Sequence, residues 1–215
     1  PSGSKLSTSR WNSVVGSAAT VNAKDGTLNF GNGLTIRGTL NAPDGERFTV
    51  RGAWAILASG TFNHNSGTVI FNPRRNNLRI DPRGTGLGRA FYNVKKRGNK
   101  TNKLTSEISL NDFEIIKNGG TWYAQGNNMI VSGNWKVNDN SNYIHGNNTV
   151  TFNGSTSQKI NVSPNKGDFY NLTVSNTTVD AVSLESNAIH IDNKLTISAS
   201  STLDINGQDL TASEL

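Results

Sequence analysis

Apolar residues in this chain fall at every second position, in short runs. Thr149-Val150-Thr151-Phe152, Leu172-Thr173-Val174, Leu195-Thr196-Ile197 and Leu203-Asp204-Ile205 are examples, each bounded by Gly, Asn or Ser. Period two with such flanks predicts half-buried strands joined by turns that need positive φ, which Gly and Asn tolerate. A helical period is nearly missing. Only Leu104 to Lys117 hints at one, and the corresponding segment later in the chain looks extended.

The order of the runs repeats. Trp54 leads to Phe71, which closes Gly67-Thr68-Val69-Ile70-Phe71-Asn72; Trp135 leads at the same spacing to Phe152, which closes Asn148-Thr149-Val150-Thr151-Phe152-Asn153. The step from Trp54 to Trp135 therefore equals the step from Phe71 to Phe152, and a looser copy opens the chain at Trp11 and Phe30. Phe91-Tyr92-Asn93-Val94 returns as Phe169-Tyr170-Asn171-Leu172 after a nearly equal interval. The chain thus reads as slightly over two units of about 80 residues, the first lacking its middle.

Two all-β architectures fit, an antiparallel β-sandwich and a single-stranded parallel β-solenoid. A sandwich has no reason to repeat its whole strand pattern at a long fixed period, so the solenoid is favoured, with about four coils of roughly 20 residues per unit. Recurrent Asn at the turns agrees, because stacked carboxamides form hydrogen-bonded ladders. The expected layout is an N-terminal extended arm over residues 1–10, then a solenoid over 11–215 carrying a basic, irregular insert at 73–103.

Composition narrows the chemistry. Asn, Gly, Ser and Thr number 31, 22, 22 and 21 of 215 residues, and hydrophobic residues make up 33%. These residue types favour turns and strands over helix interiors, which excludes a thick helical core. There is no cysteine, hence no disulfide framework, thiolate nucleophile or Cys-ligated metal site. No apolar run is long enough for a membrane-spanning helix.

The combination Gly133-Asn134-Trp135, Asn148 to Gly154, Gln158-Lys159-Ile160 and Phe169-Tyr170-Asn171-Leu172-Thr173-Val174 resembles the β-helix repeats of large secreted and surface proteins of bacteria. Those arrays are similar in style to adhesin and autotransporter passenger stalks. The resemblance covers most of the chain from Trp11 onward and is clearest from Gly133 to Ala212. It implies a right-handed β-helix, an extracellular or cell-surface location and a structural or adhesive role, with no catalytic residues to carry over. The stretch from Asn72 to Lys103 departs from it.

Charge is uneven. Net charge is +6, yet Arg74 to Lys103 holds ten cations (Arg74, Arg75, Arg79, Arg83, Arg89, Lys95, Lys96, Arg97, Lys100, Lys103) and a single acid, Asp81. Such a cluster suits an anionic partner or a contact with another subunit, and its plain alternative is a solvated loop. An acidic polysaccharide or the cell envelope fits better than nucleic acid, since only Phe91 and Tyr92 interleave with the cations.

Other candidates carry little. His64 and His145 hold the same place in the repeat, but no clustered ligands accompany them, so a shared turn position is expected and no metal. Asp112 and Glu114 can share one face of a strand without a partner that makes one an acid and the other a base, and no catalytic motif is present. The expectation is no enzyme and no cofactor.

In repeat phase, the last residues stop about where Trp11 begins. Trp11 and Val14 at one end, with Leu210 and Leu215 at the other, are therefore candidates for end-to-end assembly. The functional expectation is an extracellular structural subunit that stacks head to tail into a filament or surface layer. The alternative is a fragment of a large surface adhesin that binds anionic or neutral polysaccharide.

Overall fold

A computed structural model of the chain describes residues 5–8 and 12–215. It is an all-β, parallel β-solenoid of about 10 turns with a spacing of roughly 21 residues, and the described residues contain no helix. The first three coils are β1 (Lys5–Thr8), β2 (Ser13–Val15) and β3 (Thr20–Asn22); β4 (Thr27–Phe30), β5 (Leu34–Ile36) and β6 (Thr39–Asn41); and β7 (Gly45–Val50), β8 (Trp54–Ile56) and β9 (Thr61–Asn63). The fourth has only β10 (Gly67–Phe71) and β11 (Leu78–Asp81). The next three are β12 (Asn93–Lys96), β13 (Thr101–Leu104) and β14 (Ile108–Leu110); β15 (Asp112–Ile115), β16 (Gly120–Tyr123) and β17 (Met129–Val131); and β18 (Trp135–Val137), β19 (Ser141–Ile144) and β20 (Thr149–Phe152). The last three have two strands each: β21 (Gln158–Val162) and β22 (Asp168–Val174), β23 (Val182–Ser186) and β24 (Ile189–Ile197), and β25 (Leu203–Asp204) and β26 (Leu210–Glu214).

Three sides result. Sheet A has ten strands, from β1 to β25, and sheet B seven, from β2 to β19. The third side is a three-stranded sheet, β3-β6-β9, followed by a six-stranded one from β14 to β26. Between these two, the fourth coil completes the side with irregular backbone: Phe62 N donates to Gly88 O at 2.9 Å and Phe91 N to Ser109 O at 2.9 Å. Sheet B ends at β19, and only Asn187 and Ala188 separate β23 from β24, so the last coils are two-sided.

The core is a stack of inward side chains. On sheet A, Leu28, Phe48, Val69, Val94, Phe113, Trp135 and Ile160 follow one another through successive register pairs, and all are buried. Burying each of these is worth about 1.5–3 kcal/mol, which is how short strands of weak intrinsic stability hold together. Leu104 to Lys117 is not helical; it holds the end of β13, β14 and β15.

The corners use the polar composition. Among the described residues, eight of the fourteen non-glycine residues at positive φ are Asn, including Asn65, Asn118, Asn140 and Asn147. Asn ladders run from Asn63 to Asn41 to Asn22, and Asn140 donates to Asn118 at 3.0 Å. Gly120, at φ 70°, stacks on the coil beneath so closely that a Cβ would lie 2.6 Å from Gly98 O. Inside the corners, buried side chains add further hydrogen bonds to backbone groups at strand ends and turns. Gln158 donates to Val131 O at 3.0 Å and accepts from Gly154 N at 2.8 Å, and Ser141 Oγ donates to Ile116 O at 2.6 Å.

The long sequence repeat and the three-sided shape are out of phase. Trp54 and Phe71 lie on sheets B and A, whereas Trp135 and Phe152 lie on sheet A and the third side. Yet the aromatic clusters match. Trp54 meets Phe62 at 5.0 Å and 84°, and Trp135 meets Tyr143 at 4.8 Å and 89°. Trp54–Phe91 is 5.2 Å and 48°, and Trp135–Phe169 is 5.5 Å and 48°. One local module has been used on two different sets of faces.

Candidate functional site

Residues 73–103, expected as an irregular insert, carry three short strands, β11, β12 and β13, which pair in register with the coils on either side. The remainder, residues 73–77, 82–92 and 97–100, is turn and irregular backbone. The strands divide the ten cations among different sides of the solenoid, and their surroundings differ accordingly.

On sheet A the outward column runs Thr49, Ile70, Lys95, Glu114, Lys136 and Asn161. Lys95 pairs with Glu46 and with Glu114 at 3.1 Å, and Arg97 reaches Glu46 at 2.9 Å. The Lys95 hydrogen bond holds the Glu46 carboxyl below its ordinary pKa. Burial acts to lower Lys95, but the two carboxylates outweigh it and leave it raised. Further along, Lys159 pairs with Glu185, whose pKa is lowered chiefly by that hydrogen bond. Lys95, Arg97 and Lys159 are thus neutralised by their neighbours, whereas Lys136, between Glu114 and Asn161 in the register, has no carboxylate within ion-pair distance among the described residues.

Lys96 points the other way, into the core, between Phe71 and Ile115 in the register. It is fully buried, and its Nζ donates to Arg97 O at 2.7 Å, Gly98 O at 2.8 Å and Gly119 O at 2.5 Å. Burial pushes its pKa down to about 7. It closes a corner and is withdrawn from any surface contact, which removes it from the anticipated set. Arg89 is likewise spent on structure: its guanidinium donates to Leu57 O at 3.0 Å and Ala58 O at 2.9 Å, and burial lowers its pKa.

Sheet B differs. Its outward column runs Arg79, Lys103, Tyr123 and Ile144. Lys103 Nζ sits over the Tyr123 ring at 5.8 Å from its centroid. Lys100 precedes this column, and Arg75 lies exposed in the turn leading to it. Among the described residues, no carboxylate is within ion-pair distance of Arg75, Arg79, Lys100 or Lys103. Asp81, two residues beyond Arg79, accepts instead from Ser106 Oγ at 2.8 Å and Arg83 N at 3.1 Å. Arg74 and Arg83 flank this face in the turns on either side of β11.

The third side carries the histidines. His64 stacks on Tyr92 at 5.5 Å and 30°, and His145 on Tyr170 at 5.6 Å and 31°. In each, Nδ1 accepts a backbone N–H two residues on, from Ser66 at 3.1 Å and Asn147 at 3.0 Å. The proton of the neutral ring is thereby fixed on Nε2, which makes these poor metal ligands through that atom. His145 Nε2 lies 3.0 Å from Asp192 Oδ2, and His190 Nε2 lies 3.2 Å from Asp192 Oδ1. Sequence reading missed this His–carboxylate–His bridge, because Asp192 and His190 have no counterpart beside His64. Beside His64, residues 82–92 wall a groove of about 530 Å³ with Asn41, Phe62, Asn63 and the exposed Leu87.

Asp112 and Glu114 do share the outward face of β15, but Asp112 accepts from Asn134 N at 2.7 Å and Glu114 pairs with Lys95. At the ends, Trp11 lies outside the described residues. Val14 projects outward from β2 and is 55% exposed, Leu215 is 85% exposed, and Leu210 is half-buried against the last coil's core. Within the described residues, β1, β2 and β3 present one set of unpaired edges and β25 and β26 another.

No protein-family model matches the chain, and comparison with the curated proteins and with the solved structures finds no match either.

Proposed function

We propose that this chain is a structural element of the cell exterior, a stiff solenoid segment that is extended by further coils stacking on its ends, supplied by other copies of itself. The observation that carries this reading is the single apolar core enclosed by parallel strands that pair in register from one coil to the next. A stack built this way is continued by any coil of matching rise, because each rung offers the same backbone pairing to the next. A heterologous contact of this kind, repeated, gives an open fibre.

The rest of the molecule suits a mechanical role. Asn ladders, interlocked aromatics and charge-paired columns hold each coil to the next, and the bulk of the buried side chains belong to one continuous core. The polar, cysteine-free surface agrees with the extracellular location that the resemblance to bacterial β-helix stalks suggests. The test is sedimentation velocity across a hundredfold concentration range, followed by negative-stain microscopy. Rods that lengthen with concentration are expected. A monomer at all concentrations would overturn self-stacking.

A further inference from the structure

We infer that the outer face of sheet B around β11, β13 and β16 is a binding site for an acidic polysaccharide, independent of whether the ends stack. The argument is a contrast within one molecule. On sheet A, Lys95, Arg97 and Lys159 each meet a carboxylate, and Lys136, which makes no ion pair, has the acid Glu114 and the neutral Asn161 as register partners instead of a second cation. On sheet B, Arg79 and Lys103 are direct register partners on adjacent parallel strands, so two like charges lie about 4.8 Å apart at the backbone. Like charges placed directly opposite each other destabilise a sheet unless something neutralises them. Nothing among the described residues does so. The one nearby acid, Asp81, is turned to Ser106 and the Arg83 amide. With Arg75 and Lys100, the column forms an uncompensated cationic strip along the solenoid axis.

The neighbouring column decides the class of anion. Thr101, Thr121 and Asn142 are register partners two positions earlier on the same strands as Lys103, Tyr123 and Ile144, and they place hydroxyls and a carboxamide beside the cations. A polymer with regularly spaced carboxylates or sulfates and many hydroxyls meets both columns. A nucleic acid would need free aromatic faces for its bases. The strip's single tyrosine, Tyr123, already carries the Lys103 ammonium on its ring.

The test uses two double variants of equal net charge. Arg79→Gln with Lys103→Gln empties the strip, and Lys136→Gln with Lys159→Gln removes two cations from sheet A. Binding to heparin and to polygalacturonate is measured by calorimetry at several salt concentrations, with dextran and single-stranded DNA of similar length as comparisons. Circular dichroism shows that both variants fold. The sheet B variant is expected to lose at least tenfold in affinity and to show a shallower dependence on salt, while the sheet A variant stays within about twofold of the parent. Equal losses in the two variants, salt-independent binding, equal binding of dextran, or tighter binding of single-stranded DNA would each overturn the proposal.

Discussion

The two aromatic modules, one centred on Trp54 and the other on Trp135, have the same interior and different exteriors. Inside, Trp, two Phe and a Phe or Tyr meet in the same arrangement, with two of the three Trp contacts nearly equal in distance and angle and the third looser in the second module, although the modules occupy different sides of the solenoid. Outside, the first is walled by residues 82–92 around a groove, while the second is crossed by the bridge from His145 through Asp192 to His190. The lesson is that a coil's sides are interchangeable for packing. What an inward aromatic needs is a corner before it and a rung above it, and any of the three sides supplies both. Differences between copies therefore gather on the outward columns, where binding has to be sought.

The largest expected effects test that equivalence. Trp54→Ala and Trp135→Ala should each destabilise by about 3–5 kcal/mol, the range for emptying a large buried aromatic. Hydrogen exchange should show the loss centred on the coils around each site. A gap between the two variants wider than that range itself, about 2 kcal/mol, would break the comparison.

Next comes Lys96, which only the first module has. Its folded pKa of about 7 lies below the ordinary lysine value, so between the two the unfolded chain holds a proton that the folded chain releases. Stability should therefore rise with pH from about 7 to about 10.4, by roughly 1.4 kcal/mol for each unit of depression. Urea titrations over that window should show the rise in the parent and its disappearance in Lys96→Met.

A smaller effect should follow at Asn102. It is buried between Leu78 and Trp122 in the register, with its Oδ1 unpartnered and its Nδ2 at 3.3 Å from Leu78 O. Asn102→Leu should stabilise by about 1 kcal/mol, since an unsatisfied buried carbonyl is lost and a well-sized apolar group replaces it. Smallest of all, His145→Ala should cost more than His64→Ala by about 0.5 kcal/mol or less, reflecting one partly exposed contact to Asp192. Thermal midpoints of the two variants measure that difference.

Much of this architecture can be read from the residues. The period-two runs, the Asn-rich turns and the long-period recurrence led to stacked parallel coils, and the recurrence of Trp54 with Phe71 and of Trp135 with Phe152 marked real packing partners. The phase of the coils could not be read. Because Val, Leu, Ile and Phe serve equally well on every side, nothing in Thr68-Val69-Ile70-Phe71 or Thr149-Val150-Thr151-Phe152 assigns either run to a particular sheet. The short strands inside the basic stretch are hidden for a related reason. Lys96 occupies an inward position that an apolar residue fills in the neighbouring coils, and this hid the alternation of β12. Its three carbonyl partners come from two successive coils, a proximity that only the closed fold creates. The sorting of cations between sheets A and B is invisible in sequence for the same reason, since Lys95 and Lys103 differ only in which side their strand lies on.

Everything rests on coils that climb one axis in register. Because the chain has no cysteine, Asn29→Cys and Asn161→Cys give two clean labelling sites far apart in sequence. They lie on one outward column of sheet A, linked through Thr49, Ile70, Lys95, Glu114 and Lys136. Six rungs at the usual strand spacing predict a backbone separation of about 29 Å. Pulsed electron paramagnetic resonance should return one narrow distribution near that value, widened only by the label arms; a broad distribution, or one centred beyond about 45 Å, would contradict coils stacked at that spacing.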